Sequence, residues 1–128
     1  MQFNNKLKDR QLILLDDQGY IIASCDSIFS TLDMREEPVF KHFPLVESIF
    51  EIAKNMKVNE PKLRFSKIET TFKELDGFYD FTFVRTDIDH RKPILWTVLD
   101  YTRLYEDYHR TQQNRQELAI AKELLKGS

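Results

Sequence analysis

Ile94-Leu95-Trp96-Thr97-Val98-Leu99-Asp100-Tyr101-Thr102 joins an apolar run to a long polar one with no linker between them. Residues 94–99 are β-branched, aromatic or leucine and apolar on both faces, which predicts a central strand covered on both sides. Thr102 is expected to offer its hydroxyl to the orphan N–H groups of the next turn, with Glu106 and Asp107 favouring the positive end of a helix. From Arg103 to Leu125 neither Gly nor Pro interrupts, so an all-helical segment would span roughly 35 Å at about 1.5 Å per residue. Such a helix is too long and too polar to serve only as a lid on its own domain.

Outward from that junction, 128 residues with 41% hydrophobic content suffice for one real core, and the polar tail leaves that core to a domain of about a hundred residues. The expected organisation is a lead-in over residues 1–10, a domain over 11–102 and a helix over 103–128. A net charge of -2, with bases scattered among acids, provides no field for nucleic acid. No apolar run has the length of a signal peptide or a membrane span, so this segment is expected to be soluble and to make no membrane contact. The single cysteine, Cys25, cannot staple the chain internally, which suits a reducing, cytoplasmic setting.

Residues 11–15 and 20–24 are short apolar runs around Asp16-Asp17-Gln18-Gly19, the composition of a tight reversal, and predict a β-hairpin. Residues 26–32 predict a short helix with Asp26 or Ser27 as its cap and Ile28, Phe29 and Leu32 as its apolar face. Residues 34–41 read as a charged loop around Pro38. Pro44 is suited to the first helical position, and Leu45, Ile49, Ile52 and Met56 follow as an apolar stripe at helical spacing. The pattern then turns to period two. Leu63 and Phe65 fall out of parity with Ile68, Thr70 and Phe72, so a bulge is expected at Ser66-Lys67. Asp76-Gly77 is expected to turn the chain into Tyr79, Phe81 and Phe83, and a polar loop over 86–92 leads to the last strand.

Five strands with helices inserted after the second predict an α+β fold: one five-stranded antiparallel sheet with helices on one face, plus a long C-terminal helix. That order, with Asp100-Tyr101-Thr102 closing the last strand, resembles a PAS domain followed by a signalling helix. The triplet matches the Asp-x-Thr ending of the family's last strand. The resemblance implies that Asp100 and Thr102 couple the sheet to the outgoing helix, and that the hairpin's first strand lies beside the last strand. The segments from His42-Phe43-Pro44-Leu45 through Phe50, Tyr79-Asp80-Phe81-Thr82-Phe83 and Gln112-Gln113-Asn114-Arg115 also resemble PAS modules upstream of bacterial transmitter domains. The implied role is a sensory or dimerisation module of a multidomain signalling protein, with a sensor histidine kinase as its output and the output domain of the same chain as a partner.

Leu104, Tyr108, Thr111, Arg115, Leu118, Lys122 and Leu125 follow at alternating four and three spacing, a heptad seam that is polar in its middle. Leu104, Tyr108, Leu118 and Leu125 are its expected dimer contacts, and the partner is a second copy. A weak seam suits a two-state transmitter, because a modest input shifts it. Phe65, Phe72, Tyr79, Phe81, Phe83 and Trp96 are candidates to line a pocket for an unidentified small ligand, where the resemblance implies that ligands sit. Aromatics at strand spacing are otherwise ordinary core.

Chemistry beyond binding finds little support in the residues. His42, His90 and His109 have no second ligand at metal-site spacing, and Asp87-Ile88-Asp89-His90 reads as a solvated loop. Asp16-Asp17 and Glu36-Glu37 are adjacent surface carboxylates rather than a convergent acid/base pair. Cys25 lacks the Asn-Cys-Arg-Phe setting of flavin-binding PAS domains, and His42 precedes Pro44, outside the helix that carries the haem ligand in haem-binding ones. No catalytic residue, metal or cofactor is expected. Two other readings are a ligand-free interaction scaffold, and a small-molecule enzyme on a nuclear-transport-factor-2-like α+β sheet, for which Asp80 is the one acid within the apolar strand cores.

Overall fold

The structure, a computed structural model, describes residues 9–72 and 75–127, without the side chains of 71, 72 and 75. Its strands are β1 (Arg10–Leu15), β2 (Ile21–Ser24), β3 (Leu63–Phe72), β4 (Leu75–Arg85) and β5 (Ile94–Asp100). Its helices are α1 (Pro44–Ala53) and α2 (Thr102–Lys126), with short 3-10 turns at Leu32–Met34 and Val39–Lys41. The strands form one sheet in the order β2-β1-β5-β4-β3, antiparallel throughout. The expected α+β fold is the observed one, with the first strand beside the last.

Asp16 makes the first hairpin. Its carboxylate accepts the N–H groups of Gln18 and Tyr20 at 2.8 and 3.0 Å, and Gly19 takes the left-handed φ of +87° that the reversal needs. The bulge in β3 lies where the parity change put it: the register slips between Phe65 and Ile68, and Lys67 adopts φ +55°.

The inner face of the sheet carries Ile13, Leu15, Tyr79, Phe81, Phe83, Ile94, Trp96 and Val98, all buried. The outer face of β5 is only half-covered at Leu95, Thr97 and Leu99, so the central strand is dry on one side rather than two. Leucine tolerates either setting, and periodicity does not separate them. α1 lies over the inner face through Val46, Ile49, Phe50 and Ala53, whereas Leu45 and Ile52 of the expected stripe are exposed. Both sets have helical spacing. The helix chose the stripe whose Phe50 reaches the ring of Phe40, at 5.7 Å between centroids.

Three further expectations are corrected. Residues 26–31 form no helix, because the buried Gln11 side chain takes their backbone: its Oε1 accepts the N–H groups of Ile28 and Phe29 at 3.0 and 2.8 Å, and its Nε2 donates to Phe29 O at 3.0 Å. Asp26 stands at φ +49° and receives the Thr31 hydroxyl at 2.8 Å; Leu32 is exposed. In the loop expected over 34–41, Met34 and Val39 are buried and residues 39–41 form a 3-10 turn. Asp76-Gly77 is not the β3–β4 turn. Asp76 and Gly77 pair with Thr71 and Thr70 inside the β3–β4 ladder, which continues past them to Phe72 and Leu75.

Arg85, nearly buried at the end of β4, ties four segments together. It donates to Lys54 O at 2.5 Å, Met56 O at 3.1 Å, Lys92 O at 2.7 Å and Asp17 Oδ1 at 2.7 Å. A planar fork reaches several acceptors at once, and here it satisfies carbonyls left open where α1 ends.

Candidate functional site

β5 ends at Asp100 and α2 opens at Thr102. Phe78 N–H of β4 donates to Thr102 Oγ1 at 3.0 Å, and Tyr101 N–H donates to Phe78 O at 3.0 Å. Asp100 Oδ1 accepts the Thr102 N–H at 3.0 Å. The Thr102 hydroxyl is therefore bonded to a neighbouring strand and does not cap its own helix, contrary to expectation. The carboxylate two residues earlier supplies the Asx-type contact instead. Glu106 and Asp107 fall beyond the first turn, which holds no acid, and there the attraction of the helix dipole has faded.

Gly77 explains how the helix comes so close. A Cβ on Gly77 would stand 2.1 Å from Thr102 Oγ1 and 3.1 Å from the Tyr79 hydroxyl. The tertiary approach of Thr102, not a turn, requires glycine here. Burial and the nearby Asp100 charge push the Tyr79 phenol above its usual range, which keeps the hydroxyl protonated beside the junction. We expect Gly77→Ala to cost about 1–3 kcal/mol, the usual range for overpacking, in urea unfolding. Adding Gly77→Ala to Thr102→Ala should cost much less, because the clashing oxygen is gone; full additivity would show that the close approach is not what selects glycine.

A second cluster lies one helical turn on. Phe78 and Asp80 share the face of β4 opposite Tyr79, Phe81 and Phe83. Asp80, 1% exposed, accepts Lys67 N–H at 2.9 Å, the Arg64 guanidinium at 2.7 Å and the Tyr105 hydroxyl at 3.1 Å. The left-handed conformation of Lys67 at the bulge accompanies the bond from its N–H to the carboxylate. Tyr105 also meets Phe78 edge to face at 5.8 Å, and His109 meets Phe78 at 6.0 Å. The Lys67 ammonium stands 6.0 and 5.9 Å from the Phe78 and Tyr105 ring centroids, within cation–π reach. Burial opposes the charge on Asp80, but the Lys67 N–H, Arg64 and Tyr105 together outweigh it and hold the carboxyl below its usual range.

The sign of the linkage follows from that depression. A carboxyl lowered on folding contributes stability above its unfolded pKa, near 4, and loses it as pH falls through the lower folded value. The docking of α2 on β4 should therefore hold at neutral pH and weaken below about pH 4, with Arg64, Lys67 and Tyr105 as the groups facing the carboxyl. Circular dichroism and NMR of the Tyr105 ring through an acid titration would follow it; a ring environment unchanged down to acid unfolding would contradict it.

Among the candidate pocket residues, Phe81, Phe83 and Trp96 form one cluster: Phe83 stacks on Trp96 at 5.8 Å, and Phe81 meets it edge-on at 5.2 Å. Phe29 and Phe43 close on Trp96 from the helical side at 6.5 and 5.9 Å. Phe65 is half-buried and touches Phe83. Tyr79 sits at the junction end, and the Phe72 side chain lies outside the described residues. Trp96 Nε1 is buried with no hydrogen-bond partner among the described residues. Leu104, Tyr108, Leu118 and Leu125 are exposed along α2.

Among the described residues no group of three or more His, Cys, Asp or Glu could hold a metal ion. Asp89 and His90 take left-handed φ values in a tight turn closed by Ile88 and Arg91. Cys25 lines an apolar groove of about 400 Å³ on the outer face, with Leu12, Leu14 and Leu95. None of the helices is long and apolar enough to cross a membrane, among the described residues.

Gly77, Arg64, Tyr105 and Arg85 escaped sequence reasoning as site or tie residues, and Asp80 enters it only as the acid of the enzyme reading. Tyr105 stands one turn after Thr102, the position that faces the same strand if Thr102 does, and that spacing was the available signal.

The sequence matches no family model and no curated protein. A solved structure that resembles this one is the crystal structure of the PAS domain of a protein from Desulfitobacterium hafniense, at 12% identity and a TM-score of 0.50, covering 78% of this chain and 99% of that one. The likeness is one of fold: a PAS-like α+β sheet.

Proposed function

We propose that the chain is a sensory or dimerisation module that passes ligand or partner binding to an output domain through α2. The observation that supports it is the wiring of the junction. β5 runs into α2 without a linker, Thr102 is bonded to the backbone of β4, and the helix then continues as an exposed arm. A displacement of β4 would therefore move the helix root directly. Asp100 and Thr102 are the coupling residues in this reading.

The same arm leaves room for a second copy. At about 100° per residue, Thr102, Tyr105 and His109 lie on one side of α2, whereas Leu104, Tyr108, Leu118 and Leu125 centre roughly 150° away, so pairing and docking use different faces. We expect the chain to self-associate weakly and to become monomeric when Leu118 and Leu125 are both replaced by Glu. Sedimentation equilibrium would check this; equal monomeric masses at high concentration for both proteins would remove the paired-helix reading.

The input in this proposal is a small ligand or a partner protein, with no cofactor. The output we propose is a histidine kinase, on the resemblance to PAS modules upstream of transmitter domains. A phosphoacceptor helix and an ATP-binding region following Ser128 in the gene would support it, and a different output domain there would replace it.

A further inference from the structure

We propose that Asp80 and Tyr105 form a releasable latch that sets the angle at which α2 leaves the sheet. This rests on the reading of α2 as the output helix. The Asp100–Thr102 step fixes where the helix begins, and the Tyr105 and His109 rings rest on Phe78 without the directionality of a hydrogen bond. Asp80 supplies the second point, one turn along, on the outer face of β4.

The carboxylate is also shared with β3. One oxygen accepts both the Lys67 N–H at the bulge and the Tyr105 hydroxyl, and the other accepts Arg64. β3 is the last strand at its side of the sheet, with one neighbour to restrain it. A shift of β3 at the bulge moves Lys67 and Arg64, changes what the carboxylate offers Tyr105, and swings the helix. The bulge thus has a use beyond bending the strand: its left-handed residue aims an N–H at the same oxygen that holds the helix.

The test uses the full 128-residue chain and the variant Tyr105→Phe, which keeps the ring contacts and removes the hydroxyl. Amide exchange followed by mass spectrometry at low micromolar concentration, confirmed monomeric by light scattering, reads the latch without reference to pairing. The expected result is exchange about tenfold faster over residues 103–109, on the scale of one charge-assisted hydrogen bond, with β4 and β5 unchanged. NMR of the carboxyl groups should show Asp80 titrating at higher pH in the variant, because a donor to its anion is gone.

Tyr105→Leu, which also loses the contact with Phe78, should accelerate the root further. Unchanged exchange at the root in Tyr105→Phe would overturn the proposal. Equal acceleration across β3, β4 and the root would also overturn it, since Asp80 would then be a brace of the sheet. A chain that shows the selective change yet stays monomeric at high concentration would leave the latch standing and remove only the proposed pairing.

Discussion

Arg85→Ala should lower the unfolding free energy by about 3–5 kcal/mol, as two or more buried carbonyls lose their donor. The guanidinium lies nearly out of water and contacts Lys54 O, Met56 O, Lys92 O and Asp17 Oδ1. Its removal strands acceptors in a site that alanine cannot fill, at about 1–3 kcal/mol for each that stays dry. The Asp17 carboxylate, 71% exposed, contributes least, because water replaces its partner. Arg85→Lys should recover a minor part, since one ammonium cannot span carbonyls on α1's exit and the β4–β5 loop together. Urea unfolding followed by circular dichroism measures all three proteins; a loss under about 1 kcal/mol for alanine would mean that water enters and serves those carbonyls.

Trp96→Ala is the second large effect, at about 3–5 kcal/mol. The indole is fully buried and is ringed by Phe29, Phe43, Phe81 and Phe83, so its removal empties the centre of the core. Trp96→Phe separates volume from polarity. It leaves a smaller void and deletes the orphaned Nε1–H, two effects of opposite sign and each of about 1–3 kcal/mol, so the net change should be small. As Trp96 is the one tryptophan of the chain, unfolding must be followed by circular dichroism. A Trp96→Phe variant as unstable as Trp96→Ala would show that the indole N–H already has a partner, such as a bound water.

Where reading failed, a local signal had two lawful meanings. Asp-Gly marks a hairpin turn, yet Gly77 is glycine because Thr102 occupies the place of its Cβ. Leu45, Ile49, Ile52 and Met56 and the buried set Val46, Ile49, Phe50 and Ala53 both satisfy helical spacing, and contact with the core chose between them. Asp26 and Ser27 look like caps, but Gln11, fifteen or more residues earlier, takes the backbone that a helix would have used. Each deciding partner is distant in sequence.

The sequence by itself determined the strands, the bulge at Ser66-Lys67, the reversal at Asp16–Gly19, the start of α1 at Pro44 and the direct passage from β5 to a long polar helix. These follow from periodicity, turn chemistry and proline geometry, which act over a few residues. The tertiary structure alone decided that Asp80, Lys67, Arg64 and Tyr105 meet, that Arg85 gathers the carbonyls beyond α1, and that the Trp96 donor meets no acceptor among the described residues. The physical reason is that such polar contacts depend on strand register and on the path of a helix over a sheet, and no short-range pattern encodes where a buried charge will find its partners.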